Sequence, residues 1–253
     1  MKIAVIGARG LVGRACTKEI AIQNHESIAL SRDDDIPPHI QGVIIAATID
    51  EQEFDVTVID CSGSLQNSTL VIPNITEVNT VRMRIPNCMA SLIAQALAPL
   101  HEHCTITSII ATCMQSASGA GWGGVQALKQ NDTEELFGGI LVNNVLPHEK
   151  AEQEEQAIRN DLQELFGCEV TATSFRVPVF VGHTASLQIE TMNPIDASLL
   201  PESPSFDPRS MENKRKVAIG RARIQKNTAN LVVCGDQLLC GTAIPAVASI
   251  VGT

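Results

Sequence analysis

Lys2-Ile-Ala-Val-Ile-Gly-Ala-Arg-Gly-Leu-Val-Gly13 is the stretch on which the fold turns. Lys2 to Ile6 is a short apolar run rich in β-branched residues, the pattern of a strand buried on both faces. Gly7-Ala8-Arg9-Gly10 breaks it, and from Leu11 the period becomes helical, with Leu11, Val12, Ala15, Cys16 and Ile20 on one face. Ser27–Leu30 then reads as a second strand. Strand, glycine-rich turn, helix and strand in this order begin a Rossmann-like unit. Gly7, Gly10 and Gly13 allow a tight turn and a close approach of backbone to a pyrophosphate, which the free N–H groups of the helix start would face. Gly7, Arg9, Gly10, Leu11, Val12 and Gly13 are therefore candidate cofactor-binding positions. At the end of the second strand stand Ser31 and Arg32, a hydroxyl and a guanidinium that suit a 2′-phosphate. The predicted cofactor is NADP rather than NAD.

Further strands are predicted at Gly42–Ala46 and Val56–Ile59. The acidic stretch between them, Asp50–Asp55, is too short for an ordinary crossover helix, so the nucleotide half is read as cut down. Beyond it the pattern predicts a helix over Met89–Leu100, a strand over Thr105–Ala111 and a Gly/Ser-rich turn over Ser116–Gly124. A charged amphipathic helix is predicted over Glu149–Phe166, ended by Gly167. Val170–Phe175 and Val179–Glu190 read as antiparallel strands, Met192–Glu212 as a loop, Leu231–Cys234 as a strand, and the chain closes with a helix from about Gly241. The predicted class is α/β: a reduced Rossmann-like nucleotide-binding domain, residues 1–87 plus 238–253, and an α+β catalytic and dimerisation domain, residues 88–237.

Composition narrows the function. Hydrophobic residues make up 44% and charged residues 18% of the 253, which suits a packed enzyme and excludes disorder. A net charge of −10 leaves no broad face to neutralise nucleic-acid phosphates. The eight cysteines form no CxxC pair and are scattered through apolar segments, which predicts reduced thiols in a cytoplasmic protein. No apolar run approaches the length of a membrane span. His101-Glu-His103-Cys104 has no second ligand pair at metal spacing, so it is read as a polar connection and no metal is predicted.

Pro86-Asn87-Cys88 precedes a helix, and a thiol at a helix N-terminus is expected to have a lowered pKa. Around it the sequence resembles bacterial aspartate-semialdehyde dehydrogenases in separated places and in that family's order. Gly7–Gly13 resembles the family's GATGxVG turn, and Pro86-Asn87-Cys88 its nucleophile motif. Gln115-Ser-Ala-Ser-Gly-Ala-Gly121 is similar to its QxxSGAG segment. Asn144–His148 resembles NxIPH, and Arg176-Val-Pro-Val-Phe-Val-Gly-His183 resembles RVPVxxGH. Gly235–Gly241 is similar, more weakly, to the DNLxxGAA turn.

The resemblance implies roles. Cys88 would be the nucleophile that carries a thioacyl intermediate, oriented by Gln115, with His183 as general acid and base. Arg176 would grip the substrate carboxylate, Glu154 its amino group, and Asn87 would lie beside the nucleophile. Ser118, Gly119 and Gln237 would join the cofactor site. The implied reaction is NADP-dependent reduction of aspartyl phosphate to aspartate semialdehyde, in a homodimer paired through the second domain's sheet. Two cations that the family uses for phosphate have no counterpart, since Ala157 and Gln66 stand there. Either Arg82, Arg84, Lys150 or Arg159 takes their place, or phosphate is bound poorly or not at all; with the shortened nucleotide half this raises the alternative of a divergent paralogue with weak or no dehydrogenase activity.

Overall fold

A computed structural model describes residues 1–131, 134–147, 151–204 and 206–252. The chain divides into two compact units, one of residues 1–86 and 241–253, the other of residues 87–240.

The first unit holds a six-stranded sheet in which every pairing is parallel. Its strands are β1 (Lys2–Ile6), β2 (Glu26–Leu30), β3 (Gly42–Ile45), β4 (Thr57–Asp60), β5 (Thr69–Leu70) and β6 (Arg82–Arg84), in the spatial order β2-β1-β3-β4-β6-β5. Helix α1 (Leu11–Ile22) follows β1. Ile3, Ala4, Val5 and Ile44 have no exposed surface, as the unbroken apolar runs require. The described residues between β3 and β4 contain no helix. Ile36, Ile49, Phe54 and Val56 from loops instead pack against Ile6, Val43, Ile45 and Val58, and so cover the face that crossover helices usually cover.

Strands β5 and β6 are additions to the sequence reading. One has two residues and the other is Arg-Met-Arg, and neither carries a period long enough to read.

The second unit opens with α2 (Cys88–Cys104), followed by β7 (Ile106–Gln115), α3 (Gly121–Gln130), α4 (Glu134–Phe137) and α5 (Ala151–Phe166). Then come β8 (Glu169–Arg176), β9 (His183–Thr191), β10 (Ala218–Gln225) and β11 (Thr228–Gly235). Its mixed sheet has the order β10-β11-β9-β7-β8. Ile158, Leu162 and Phe166 form the buried stripe of α5. Gly167 ends that helix at φ 60°, a left-handed conformation that favours glycine, and its N–H bonds Gln163 O at 2.8 Å.

Three expectations are corrected. The strand predicted over Thr105–Ala111 runs on to Gln115. The strand predicted from Val179 begins at His183, and β8 and β9 are not neighbours: β7 lies between them, parallel to β8 and antiparallel to β9. Strand β10 was not read at all. It is an edge strand bearing Arg221 and Arg223, broken by a bulge after Gly220, and charge with irregularity hides its alternation.

The chain returns to the first unit through a π-turn over Leu239–Ala243, and helix α6 (Ile244–Val251) packs on α1, β3 and β4. Among the described residues no helix is long and apolar enough to cross a membrane.

Candidate active site

The crossing from β8 over the end of β7 to β9 builds the site. Gln115 is the last residue of β7 and pairs in register with Arg176, the last of β8. Met114 pairs with Thr184, so His183 starts β9 beside the same strand end. The connection 177–182 is fastened across that end: Val177 N donates to Gln115 O, Ala117 N to Val179 O and Ser118 N to Phe180 O, at 2.9, 2.8 and 3.1 Å. Three adjacent strand ends therefore present an amide, a guanidinium and an imidazole together.

Cys88 is the first residue of α2. Asn87 caps the helix, its Oδ1 accepting from Met89 N at 2.9 Å, a bond worth about 1 kcal/mol. The same side chain donates through Nδ2 to Glu154 Oε2 at 2.9 Å, and Gln115 Nε2 donates to that oxygen at 3.3 Å. Asn87 N donates to Asp161 Oδ2 at 2.6 Å. Glu154 and Asp161 stand seven apart on the face of α5 turned toward α2; of the neighbouring glutamates, Glu152 is exposed and Glu155 accepts from Ser174 N at 2.7 Å.

The expectation of a low thiol pKa is overturned. Burial first, and then the Glu154 carboxylate, push the Cys88 thiol up to about 12. Arg176 and the backbone N–H groups of Met89 and Cys88 pull the other way and lose. A helix terminus contributes up to about 2 kcal/mol, less than desolvation beside a carboxylate can cost. In the unliganded protein the alkylation rate of Cys88 should then climb about tenfold per pH unit from pH 7 to pH 10, without a plateau. Glu154→Gln should shift that profile toward lower pH. Iodoacetamide labelling, read by mass spectrometry on the Cys88 peptide, checks both; a plateau below pH 8 in the parent protein would contradict them.

His183 is buried, and burial first, then the Arg176 charge, lowers its pKa well below the usual 6.5. Its Nδ1 accepts from Ser116 N at 3.2 Å, with Ser116 Oγ 3.0 Å away. This network assigns the single proton of the neutral ring to Nε2. Arg176 is 3% exposed; its Nη1 donates to Ser116 O at 2.7 Å while its Nε has no hydrogen-bond partner. A buried donor left over in this way is arranged for an anion that the protein does not supply.

The remaining sequence candidates separate. Gly119 is exposed and lies against Arg176 and His183 rather than in the first unit. Ser118 and Gln237 are buried and occupied with each other, Nε2 to Oγ at 2.6 Å, while Gln237 Oε1 accepts from Gly182 N at 3.0 Å. Their side chains clamp the crossing.

In the first unit the glycine turn is as tight as its spacing implies. A Cβ on Gly13 would fall 2.3 Å from Gly7 O, and Gly7 has φ 80°. The first N–H groups of α1 lie just beyond, with no side-chain cap at Gly10. Arg9 Nη2 donates to Ser31 Oγ at 3.2 Å, and a cleft of about 470 Å³ is lined by Arg32, Asp33, Thr48, Ile49, Asp50 and Gln52. The turn fits a pyrophosphate, and the cleft beside Arg9, Ser31 and Arg32 fits the adenosine end of a dinucleotide.

Ser116, Phe137 and Asp161 are site residues that sequence reasoning missed. Asp161 had a signal, the seven-residue spacing from Glu154; Ser116 and Phe137 had none beyond their neighbourhood. Among the stand-in cations, Arg82 is bound to Glu51, Glu53 and the carbonyls of Gln52 and Gln66. Arg159 is exposed and bonds Gln156, Arg84 also has a partner, and Lys150 lies outside the described residues, as does His148.

Comparison with known proteins agrees with this geometry. Residues 97–203 match the family model for the semialdehyde dehydrogenase dimerisation domain. An aspartate-semialdehyde dehydrogenase of Rickettsia bellii is 26% identical over 321 aligned positions, covering 97% of this chain and 95% of the relative. The alignment is longer than this chain, so the relative carries segments that are absent here. One from Prochlorococcus marinus is 28% identical over 64% of this chain and 58% of its own length. Among solved structures, aspartate semialdehyde dehydrogenase II of Vibrio cholerae, complexed with ASA, superposes with a TM-score of 0.84 at 22% identity, covering 98% of this chain and 96% of that one. The Francisella tularensis enzyme gives 0.82 at 16% identity with both chains fully covered. With the Asn87-Cys88 helix start and the Gln115, Arg176 and His183 strand ends, these matches make the chain similar over nearly its whole length to aspartate-semialdehyde dehydrogenases, whose fold it shares.

Proposed function

We propose that this chain catalyses the NADP-dependent, reversible reductive dephosphorylation of aspartyl phosphate to aspartate semialdehyde through a thioacyl group on Cys88, in amino-acid biosynthesis. The observation that carries this reading is the convergence of Cys88, Glu154, Gln115, Arg176 and His183 within one unit. Arg176 offers Nε to the substrate carboxylate. Glu154 faces the substrate ammonium, and neutralising its charge removes one of the influences that keep the Cys88 thiol protonated. His183, with its proton on Nε2, donates to the oxyanion that forms when sulfur adds to the carbonyl, and Gln115 steadies Glu154. A bound nicotinamide supplies the hydride, or accepts it in reverse.

Support for NADP comes from Arg9, Ser31 and Arg32. Arg32→Ala should weaken NADPH binding about tenfold or more while leaving NADH nearly unchanged, the loss of one charged phosphate contact. Equal weakening of both, by fluorescence titration, would refute the preference. Support for a homodimer comes from the sheet of the second unit, whose face opposite α2 and α5 is bare: Ile110 is 47% exposed, and Thr112, Thr173, Ser186 and Gln188 are exposed with it.

The test is reduction of NADP by the purified protein with aspartate semialdehyde, with and without phosphate. Phosphate-dependent turnover is the expected result. A second reading, a paralogue without turnover, is favoured by the Glu154 carboxylate beside the thiol and Asp161 beside Asn87, negative charge that opposes an incoming phosphate. No turnover and no NADPH binding would select it.

A further inference from the structure

We propose that Phe137 is the positioning residue that sets how strongly this site selects a carboxylated substrate; the inference rests on the reading of Arg176 as the carboxylate-binding group. Phe137 closes the short helix α4, and its ring lies under the Arg176 guanidinium, with Cζ 5.3 Å from the ring centroid. The ring is 4% exposed and packs with Ala117, Leu128 and Leu141. The same stretch is tied to β8 a few residues later, where Leu146 and Arg176 exchange backbone hydrogen bonds of 3.0 and 2.8 Å.

These contacts leave the guanidinium one orientation. Ser116 O takes Nη1 at one edge, the Phe137 ring covers one face, and Gly119 lies against Nη1 without a side chain. Nε is buried and without a partner, a donor left for a ligand. A planar five-donor group grips a carboxylate well only when its plane is fixed in advance, and a flat aromatic face fixes that plane where an aliphatic chain does not. The ring's quadrupole also holds the cation where burial would otherwise disfavour it, which lowered the Arg176 pKa.

A residue packed in the core can touch a guanidinium without orienting it. The two roles differ in one readout. A core defect lowers the amount or rigidity of active enzyme and scales all substrates alike. Loss of guanidinium positioning lowers only the advantage that a carboxylate confers.

The experiment compares kcat/KM for aspartate semialdehyde and for 3-aminopropanal, the same amino aldehyde without the carboxylate, in the parent protein, Phe137→Leu and Phe137→Tyr. The ratio of the two values is independent of the fraction folded. The leucine variant should lower the ratio about tenfold, through KM for the carboxylated substrate, while the tyrosine variant, which keeps the ring, should retain it. An unchanged ratio in Phe137→Leu would overturn the inference while leaving the proposed reaction standing. A parent protein with no preference between the two aldehydes would overturn it as well. If neither aldehyde turns over, the proposed reaction fails, and calorimetric titration with L-2-aminobutyrate, which carries the amino and carboxylate groups without the aldehyde, decides the inference instead. About tenfold weaker binding to the leucine variant would uphold it, and equal binding to both would overturn it.

Discussion

Cys88→Ala should abolish turnover with aspartate semialdehyde, by on the order of 10⁴-fold or more, while leaving the melting temperature nearly unchanged. The size of the loss follows from what the thiol alone supplies. Gln115, Glu154, Arg176 and His183 bind, steady or protonate in this reading, and the acyl group is carried by the thiol alone. The fold should survive because the cap of α2 is made by Asn87 Oδ1 and Met89 N and not by the cysteine side chain. Alanine is also the best helix former for the first turn. At pH 7 a thiol with a pKa of about 12 is ionised in only about one molecule in 10⁵. The parent protein should therefore lack the fast alkylation of a resting thiolate and yet turn over once substrate is bound. Single-turnover kinetics would show this as a burst of NADPH equal to the enzyme concentration in the parent and no burst in the variant. A variant that keeps more than a hundredth of the parent rate would remove Cys88 from the chemistry.

The contrast between that thiol and its sequence context shows where reading the chain succeeds. The β1-turn-α1-β2 start was legible because everything that dictates it is local: an apolar run, three glycines and a helical period. The helix start at Asn87-Cys88 was legible for the same reason. The pKa of Cys88 was not, because Glu154 comes from 67 residues beyond Asn87 in the sequence and Asp161 from 74. Burial first, and then the Glu154 carboxylate, decide its sign, while Asp161 fixes the backbone of Asn87 beside it. The motifs brought Gln115, Arg176 and His183 forward as candidates; what no local pattern gives is the crossing of β7 that makes them neighbours, since sheet order is a non-local property. Ser118 and Gln237 carry a related lesson. Their motif-like stretches lie far apart in the sequence, and no local pattern shows that the two side chains bond each other and the chain crossing. The missed strands β5, β6 and β10 are short, charged or bulged, and only their neighbours in the sheet define them as strands.

Gly119→Ala should cost about 100-fold in kcat/KM with little loss of stability, a large effect for one methyl group at an exposed position. A Cβ there would stand 2.8 Å from Arg176 Nη1, 3.0 Å from His183 Cε1 and 3.2 Å from His183 Nε2. The first of these is closer than real Cβ contacts, so a neighbour must move. Neither can do so freely. Arg176 is held by Ser116 O at 2.7 Å and by the ring of Phe137, and the His183 ring is held through Nδ1 by Ser116 N. The backbone at Gly119 is not in the left-handed region, so the cost is steric rather than conformational and falls on the site. The methyl group would fill the gap that a substrate needs between the guanidinium and the proton on Nε2, and a displacement of about 1 Å at such a site costs on the order of 10²-fold. Alkylation of Cys88 provides the internal control. Burial and Glu154, the two influences that dominate its pKa, do not involve Gly119, so its rate and pH profile should stay close to the parent's. An active variant, within threefold of the parent, would mean that the substrate does not pass between Arg176 and His183. A variant that is inactive and also altered in Cys88 alkylation would mean that the methyl group had disturbed the whole constellation, and the steric account would fail.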